Sequence, residues 1–173
     1  PSVLAAARSV AEAMSHHHRI HRLKSRSSAY FDAVHFRLGD KAGVGDPYVG
    51  LRHMDSTELF CRIHAHLNHS IIGESPLYIA TDSPSVLRTG RGAIALRHFW
   101  PGLYTAQDFG DIFAAYCTEP HVFEMERWCS GGTPFFVLAV EMAIMENARV
   151  FVATERSSPS RRVALKRNIH FSK

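Results

Sequence analysis

Three short apolar runs, separated by stretches of helical periodicity, limit what this chain can fold into. They are Ala29-Tyr30-Phe31-Asp32-Ala33-Val34, Pro76-Leu77-Tyr78-Ile79-Ala80-Thr81 and Val150-Phe151-Val152-Ala153-Thr154. Each has the length and apolar content of a buried strand, the first continuing to residue 37. Residues 2 to about 24 carry Val3, Leu4, Ala7, Val10, Ala11 and Met14 at helical spacing, and the tail of that helix is basic. Asp55-Ser56-Thr57-Glu58 starts a second helix, with Leu59, Ile63 and Leu67 on one face, ending near Asn68. Thr133-Pro134 opens a third, with proline at its favoured first-turn position, running to about Asn147. Ser157-Ser158-Pro159-Ser160 leads into a basic helix that ends near Asn168. Residues 39–54, with four glycines and a proline, read as a loop, 83–88 as one helical turn broken by Gly90 and Gly92, and 93–100 as a further strand. The stretch 101–132 mixes aromatics and turn formers without a clear period. Helix and strand therefore alternate, which argues for an α/β fold: a mostly parallel sheet with helices on both faces. With 173 residues and 46% hydrophobic content, the chain suffices for one domain over 1–173 and not for two full α/β domains.

The first strand runs into His35-Phe36-Arg37-Leu38-Gly39-Asp40. In open α/β sheets ligands bind at the C-terminal ends of strands. His35 and Arg37 are two apart, so on extended backbone they point to the same side. Arginine offers a rigid fork of donors suited to phosphate oxygens. The trio His35, Arg37 and Asp40 reads as a grip on a diphosphate, or as a strand-end ion pair between Arg37 and Asp40. Asp82, after the second strand, reads as a nucleotide contact at the same edge or as a helix N-cap. Glu141 lies in the apolar helix Phe135–Ile144, where a carboxylate is costly unless paired. It either accepts two N–H bonds from a guanine edge or faces solvent. Ser157, Ser158 and the helix start behind them form an anion site, a plain cap, or both.

A net charge of +4 suits an anionic ligand such as a nucleotide, and suits many ordinary domains as well. Cys61, Cys117 and Cys129 include no C-x-x-C pair, so a zinc ribbon or thioredoxin motif is excluded; reduced thiols, or one disulfide such as Cys117 to Cys129 with a free thiol, both remain open. No run of about 18 apolar residues is present to cross a membrane. Asp108-Phe109-Gly110 matches a kinase tripeptide but lacks the accompanying motifs. His64, His66 and His69 do not converge on one metal from a helix. P-loop, G-x-S-x-G, H-E-x-x-H and D-x-D motifs are missing. If this chain holds a nucleotide diphosphate, arginine replaces the metal.

Taken in order, these residues resemble the GDP-fucose-dependent fucosyltransferases, chiefly the protein O-fucosyltransferases and more distantly the α-1,6-fucosyltransferases. His35-Phe36-Arg37 matches an H-x-R at a strand end. Leu77-Tyr78-Ile79-Ala80-Thr81-Asp82 matches a strand reading roughly V-Y-x-A-T-D. The stretch from Glu141 to Pro159 matches a helix, strand and Ser-Ser-Phe-like turn without a gap. The resemblance covers roughly residues 28–170, with 95–132 unmatched. It differs at two places: Glu141 stands where the family has an aspartate that holds guanine, and Pro159 where it has an aromatic near the donor phosphates and base.

The resemblance implies a Rossmann-like domain, the C-terminal donor-binding half of a GT-B-type glycosyltransferase, with the acceptor-side domain upstream of Pro1. It implies inverting, metal-independent transfer of fucose from GDP-fucose to a protein or glycan acceptor, with no cofactor, in the lumen of the endoplasmic reticulum or Golgi. Arg37 would be the catalytic residue, stabilising charge on the leaving GDP. His35, Asp40, Asp82, Glu141, Ser157, Ser158 and Pro159 would complete the donor site. The half-enzyme alone should transfer nothing, because an inverting reaction needs the acceptor held in line behind the sugar carbon. Two alternatives stand beside this. One is an inactive nucleotide-sugar-binding module, the other a polyanion-binding domain using the basic patches 19–26 and 161–167. The latter patches lack interleaved aromatics, so nucleic acid is not expected as a partner.

Overall fold

The structure, a computed structural model, describes residues 2–21, 30–36, 61, 75–81, 87–88, 91–118, 133–152 and 157–168. Within these, four strands form one parallel sheet: β1 (Asp32–Phe36), β2 (Leu77–Thr81), β3 (Leu103–Tyr104) and β4 (Phe151–Val152). Their order is β3-β2-β1-β4. Helices α1 (Ser2–His21), α2 (Arg91–Phe99), α3 (Gly110–Thr118), α4 (Thr133–Asn147) and α5 (Ser158–Lys166) flank the sheet. The α/β class read from the alternation is observed, and the strand order is compatible with a Rossmann-like fold.

The register explains the core. Ala33 pairs with Tyr78 and with Phe151, His35 pairs with Ala80, and Tyr78 pairs with Tyr104. Side chains alternate along a strand, so these residues share one face of the sheet. Against it pack Ala6, Ala7, Val10 and Met14 of α1, Phe113 of α3, and Phe136, Val140, Ala143 and Ile144 of α4. Phe113 and Phe136 meet edge to face at 6.5 Å. Ser9 of α1 and Tyr116 of α3 share a hydroxyl–hydroxyl bond of 2.9 Å. Val34, Leu77 and Ile79 alternate to the opposite face and are buried, as are Leu87, Ala93, Leu96 and Trp100.

The segment read as a strand over 93–100 is helix α2 instead. Ala93, Leu96 and Trp100 are buried while Ile94 is 71% exposed, which is a spacing of three and four rather than two. Gly92 is the second residue of this helix, not a breaker. After β3, Asp108 Oδ2 accepts from the Thr105 backbone N–H at 2.7 Å and its hydroxyl at 3.0 Å, closing a 3-10 turn over Ala106–Phe109 that feeds α3. The helix expected over 55–68 lies outside the described residues except for Cys61, which is helical and exposed with a free thiol. The Cys117–Cys129 pairing also lies outside what the structure describes. Among the described residues, no helix is long and apolar enough to cross a membrane.

Candidate functional site

A doubly wound sheet has a natural crevice where the chain reverses its direction of travel. Here the chain moves from β1 outward to β2 and β3, then crosses back to β4 on the other side of β1. The switch point lies between β1 and β4. His35 is the penultimate residue of β1, and α5 begins after β4 with Ser157 as its N-cap. The two meet: His35 Nδ1 and Ser160 Oγ are 2.6 Å apart in a hydrogen bond spanning 125 positions of sequence. His35 is 6% exposed and Ser160 wholly buried. The strand-end histidine and the serine-rich turn, read separately in the sequence, are therefore brought to one place.

Ser157 is in extended conformation, as an N-cap should be, yet its side chain makes no cap hydrogen bond. An N-cap oxygen normally accepts from the second or third helical N–H. The second residue of α5 is Pro159, which has no N–H to give. Ser157 is buried and its Oγ has no hydrogen-bond partner among the described residues. Ser158 is exposed and Pro159 buried in the first turn. A buried hydroxyl at the start of a helix, where the dipole is positive, is chemistry suited to an anion.

Glu141 does not face solvent, one of the two readings the sequence allowed. It is 7% exposed, and the Tyr78 hydroxyl donates to its Oε1 at 3.2 Å. The reason is the setting of α4, which packs against α1, α5 and β1, so that no residue from Phe136 to Glu146 is fully exposed. Burial pushes the Tyr78 hydroxyl well above its ordinary ionisation range, reinforced by the charge and hydrogen bond of Glu141 and by Asp108. Tyr78 thus stays a donor. Its neighbour Tyr104 is raised for the same first reason, burial, with Asp108 adding to it.

Arg37, Asp40 and Asp82 lie outside the described residues. β1 and β2 end level, at Phe36 and Thr81. Two participants escaped the sequence reading. Ser160 was visible only as the last hydroxyl of the Ser157–Ser160 turn, and Tyr78 only as a core aromatic. Nothing local in the sequence marks either contact. Among the described residues, no group of three or more His, Cys, Asp or Glu could hold a metal ion.

The fold and the crevice define an α/β domain with an anion-suited switch point. Comparison with protein-family models, curated proteins and solved structures finds no match to this chain.

Proposed function

We propose that this chain binds a nucleoside diphosphate sugar at the β1–β4 switch point. By its resemblance to the fucosyltransferases, that ligand is GDP-fucose and the chain is the donor half of a GT-B-type transferase. The observation that carries the proposal is the buried hydrogen bond between His35 and Ser160, which joins a strand end to a helix start across that crevice. In this reading Arg37 sits on the β-phosphate and stabilises the negative charge that grows on departing GDP, an effect worth about 10²–10³ in rate for a preorganised donor. His35, Ser157, Ser158 and the start of α5 add neutral donors. In the same reading Asp40 and Asp82 complete the donor site, Pro159 lies in the helix turn below the phosphates, and Glu141 takes the guanine. Fucose passes with inversion to a protein or glycan acceptor in the secretory lumen, without a metal.

A second reading is a binding module that transfers nothing. It is supported by the engagement of Glu141 Oε1 with Tyr78 and by the buried Pro159 where an aromatic would stack. Calorimetry with GDP, UDP and ADP in excess EDTA tests the shared core of both readings. GDP should bind selectively without metal; a strict need for Mn²⁺, or a preference for UDP, rejects the proposal. A radiolabelled GDP-fucose assay on a protein containing both domains then separates transferase from module.

A further inference from the structure

We propose that Ser160 is a positioning residue that fixes the His35 imidazole as its Nε2–H tautomer, turning a neutral ring into a phosphate donor. The inference rests on the reading of the switch point as a phosphate site. A neutral imidazole has one N–H and one acceptor nitrogen, and which is which follows from what the ring nitrogens meet. Ser160 Oγ meets Nδ1 at 2.6 Å, a short and direct hydrogen bond. If the hydroxyl donates to Nδ1, the ring proton must reside on Nε2. That arrangement offers a phosphate oxygen an N–H donor without requiring a protonated ring. The opposite polarity would put the only ring proton on Nδ1 and leave a lone pair on Nε2, which repels an anion.

The geometry suits this role. Ser160 lies in the first turn of α5, so the same helix that presents its start to the ligand also sets the ring on β1. Both side chains are buried, so water does not compete for Nδ1. Ser160 acts through His35 and need not touch the ligand.

Nitrogen NMR on histidine-labelled protein, with the His35 signals assigned through His35→Gln, reads the tautomer directly. Wild type should show an unprotonated Nδ1 and a protonated Nε2. Ser160→Ala should redistribute the proton between the two nitrogens and weaken GDP binding by up to about tenfold, the worth of one hydrogen bond at about 0.5–1.5 kcal/mol. Ser160→Thr, which keeps the hydroxyl, should restore both. An Nδ1–H ring in the wild type overturns the proposal, whether or not the variants fold. So does a tautomer unmoved in folded Ser160→Ala. The expected ring signals in a wild type that ignores GDP would reject the phosphate reading while leaving Ser160 as the group that sets the ring.

Discussion

The two edges of the sheet are finished in opposite ways. At the lower edge, where the strands begin, charged groups are tied into the fold. Asp32, 2% exposed, takes a bidentate contact from Arg149 at 3.0 and 2.8 Å. Arg167 spreads its guanidinium over the carbonyls of Met145, Ala148 and Arg149 where α4 ends, and burial lowers its ionisation from the usual arginine range. Cations there also meet the negative end of the helix dipole. Asn168, in left-handed backbone with φ 54°, closes α5 beside them. At the upper edge, α5 starts with a buried serine oxygen that has no partner among the described residues. An unpaired buried hydroxyl costs about 1–3 kcal/mol. Among the described residues, the lower edge satisfies these polar groups while the upper edge leaves one buried oxygen unpaired.

The largest expected effect lies at the lower edge. Arg149→Ala leaves the Asp32 carboxylate buried without its cation, which should cost about 3 kcal/mol of stability. Urea unfolding should show a lower midpoint at constant slope, while GDP affinity of the folded protein stays unchanged. A loss below about 0.5 kcal/mol, the range of an ordinary surface change, would remove the structural half of the comparison.

Tyr78 sharpens the comparison from the middle of the sheet, where its bond to Glu141 pins α4 onto the strands. Its hydroxyl ionises well above the ordinary value near 10 when folded, chiefly because it is buried. The unfolded chain releases that proton first. Tyr78 therefore contributes its full stabilisation below about pH 10, and loses it as pH rises from there toward the folded value, at about 1.4 kcal/mol per pH unit for one proton. Tyr78→Phe should cost about 1 kcal/mol near neutrality through the lost bond. Above pH 10 its stability should then fall less steeply than the wild type's, by one proton's slope. Parallel slopes in alkaline urea titrations would show that Tyr78 ionises as readily folded as unfolded.

The sequence carried those parts of the fold that are encoded locally. Helix α4 spans Thr133–Asn147, the bounds set by Pro134 near its start and the end of the apolar run. β1 and β2 were legible from their apolar runs, and α5 from the turn before it. α2 was not, because Gly92 resembles a breaker and the burial of Ala93, Leu96 and Trp100 depends on distant packing. The site divides the same way. His35 at a strand end and the Ser157–Ser160 turn were each visible. Their contact requires β4 to lie beside β1, and an alternating pattern fixes the alternation without fixing the order of strands. Glu141 remained ambiguous for the same cause: its partner Tyr78 lies 63 positions away on β2, and α1, from the start of the chain, packs on the same helix.

The smallest effect on stability is the one that most directly separates the two edges. If the Ser157 hydroxyl capped α5, Ser157→Ala would cost about 1 kcal/mol. The side chain makes no cap bond, and its oxygen is buried without a partner among the described residues. Alanine removes a polar atom that has no partner among the described residues, so the stability read from urea unfolding should stay the same or rise by up to about 1 kcal/mol. Binding should move the other way. If the hydroxyl is held for a phosphate oxygen, its loss should weaken GDP by about 0.5–1.5 kcal/mol in calorimetry, the net worth of one hydrogen bond. Stability and affinity changing in opposite directions is the mark of a group held for a ligand at the fold's expense. A loss of about 1 kcal/mol in stability with GDP affinity intact would make the start of α5 one more capped helix, and the contrast between the edges would disappear.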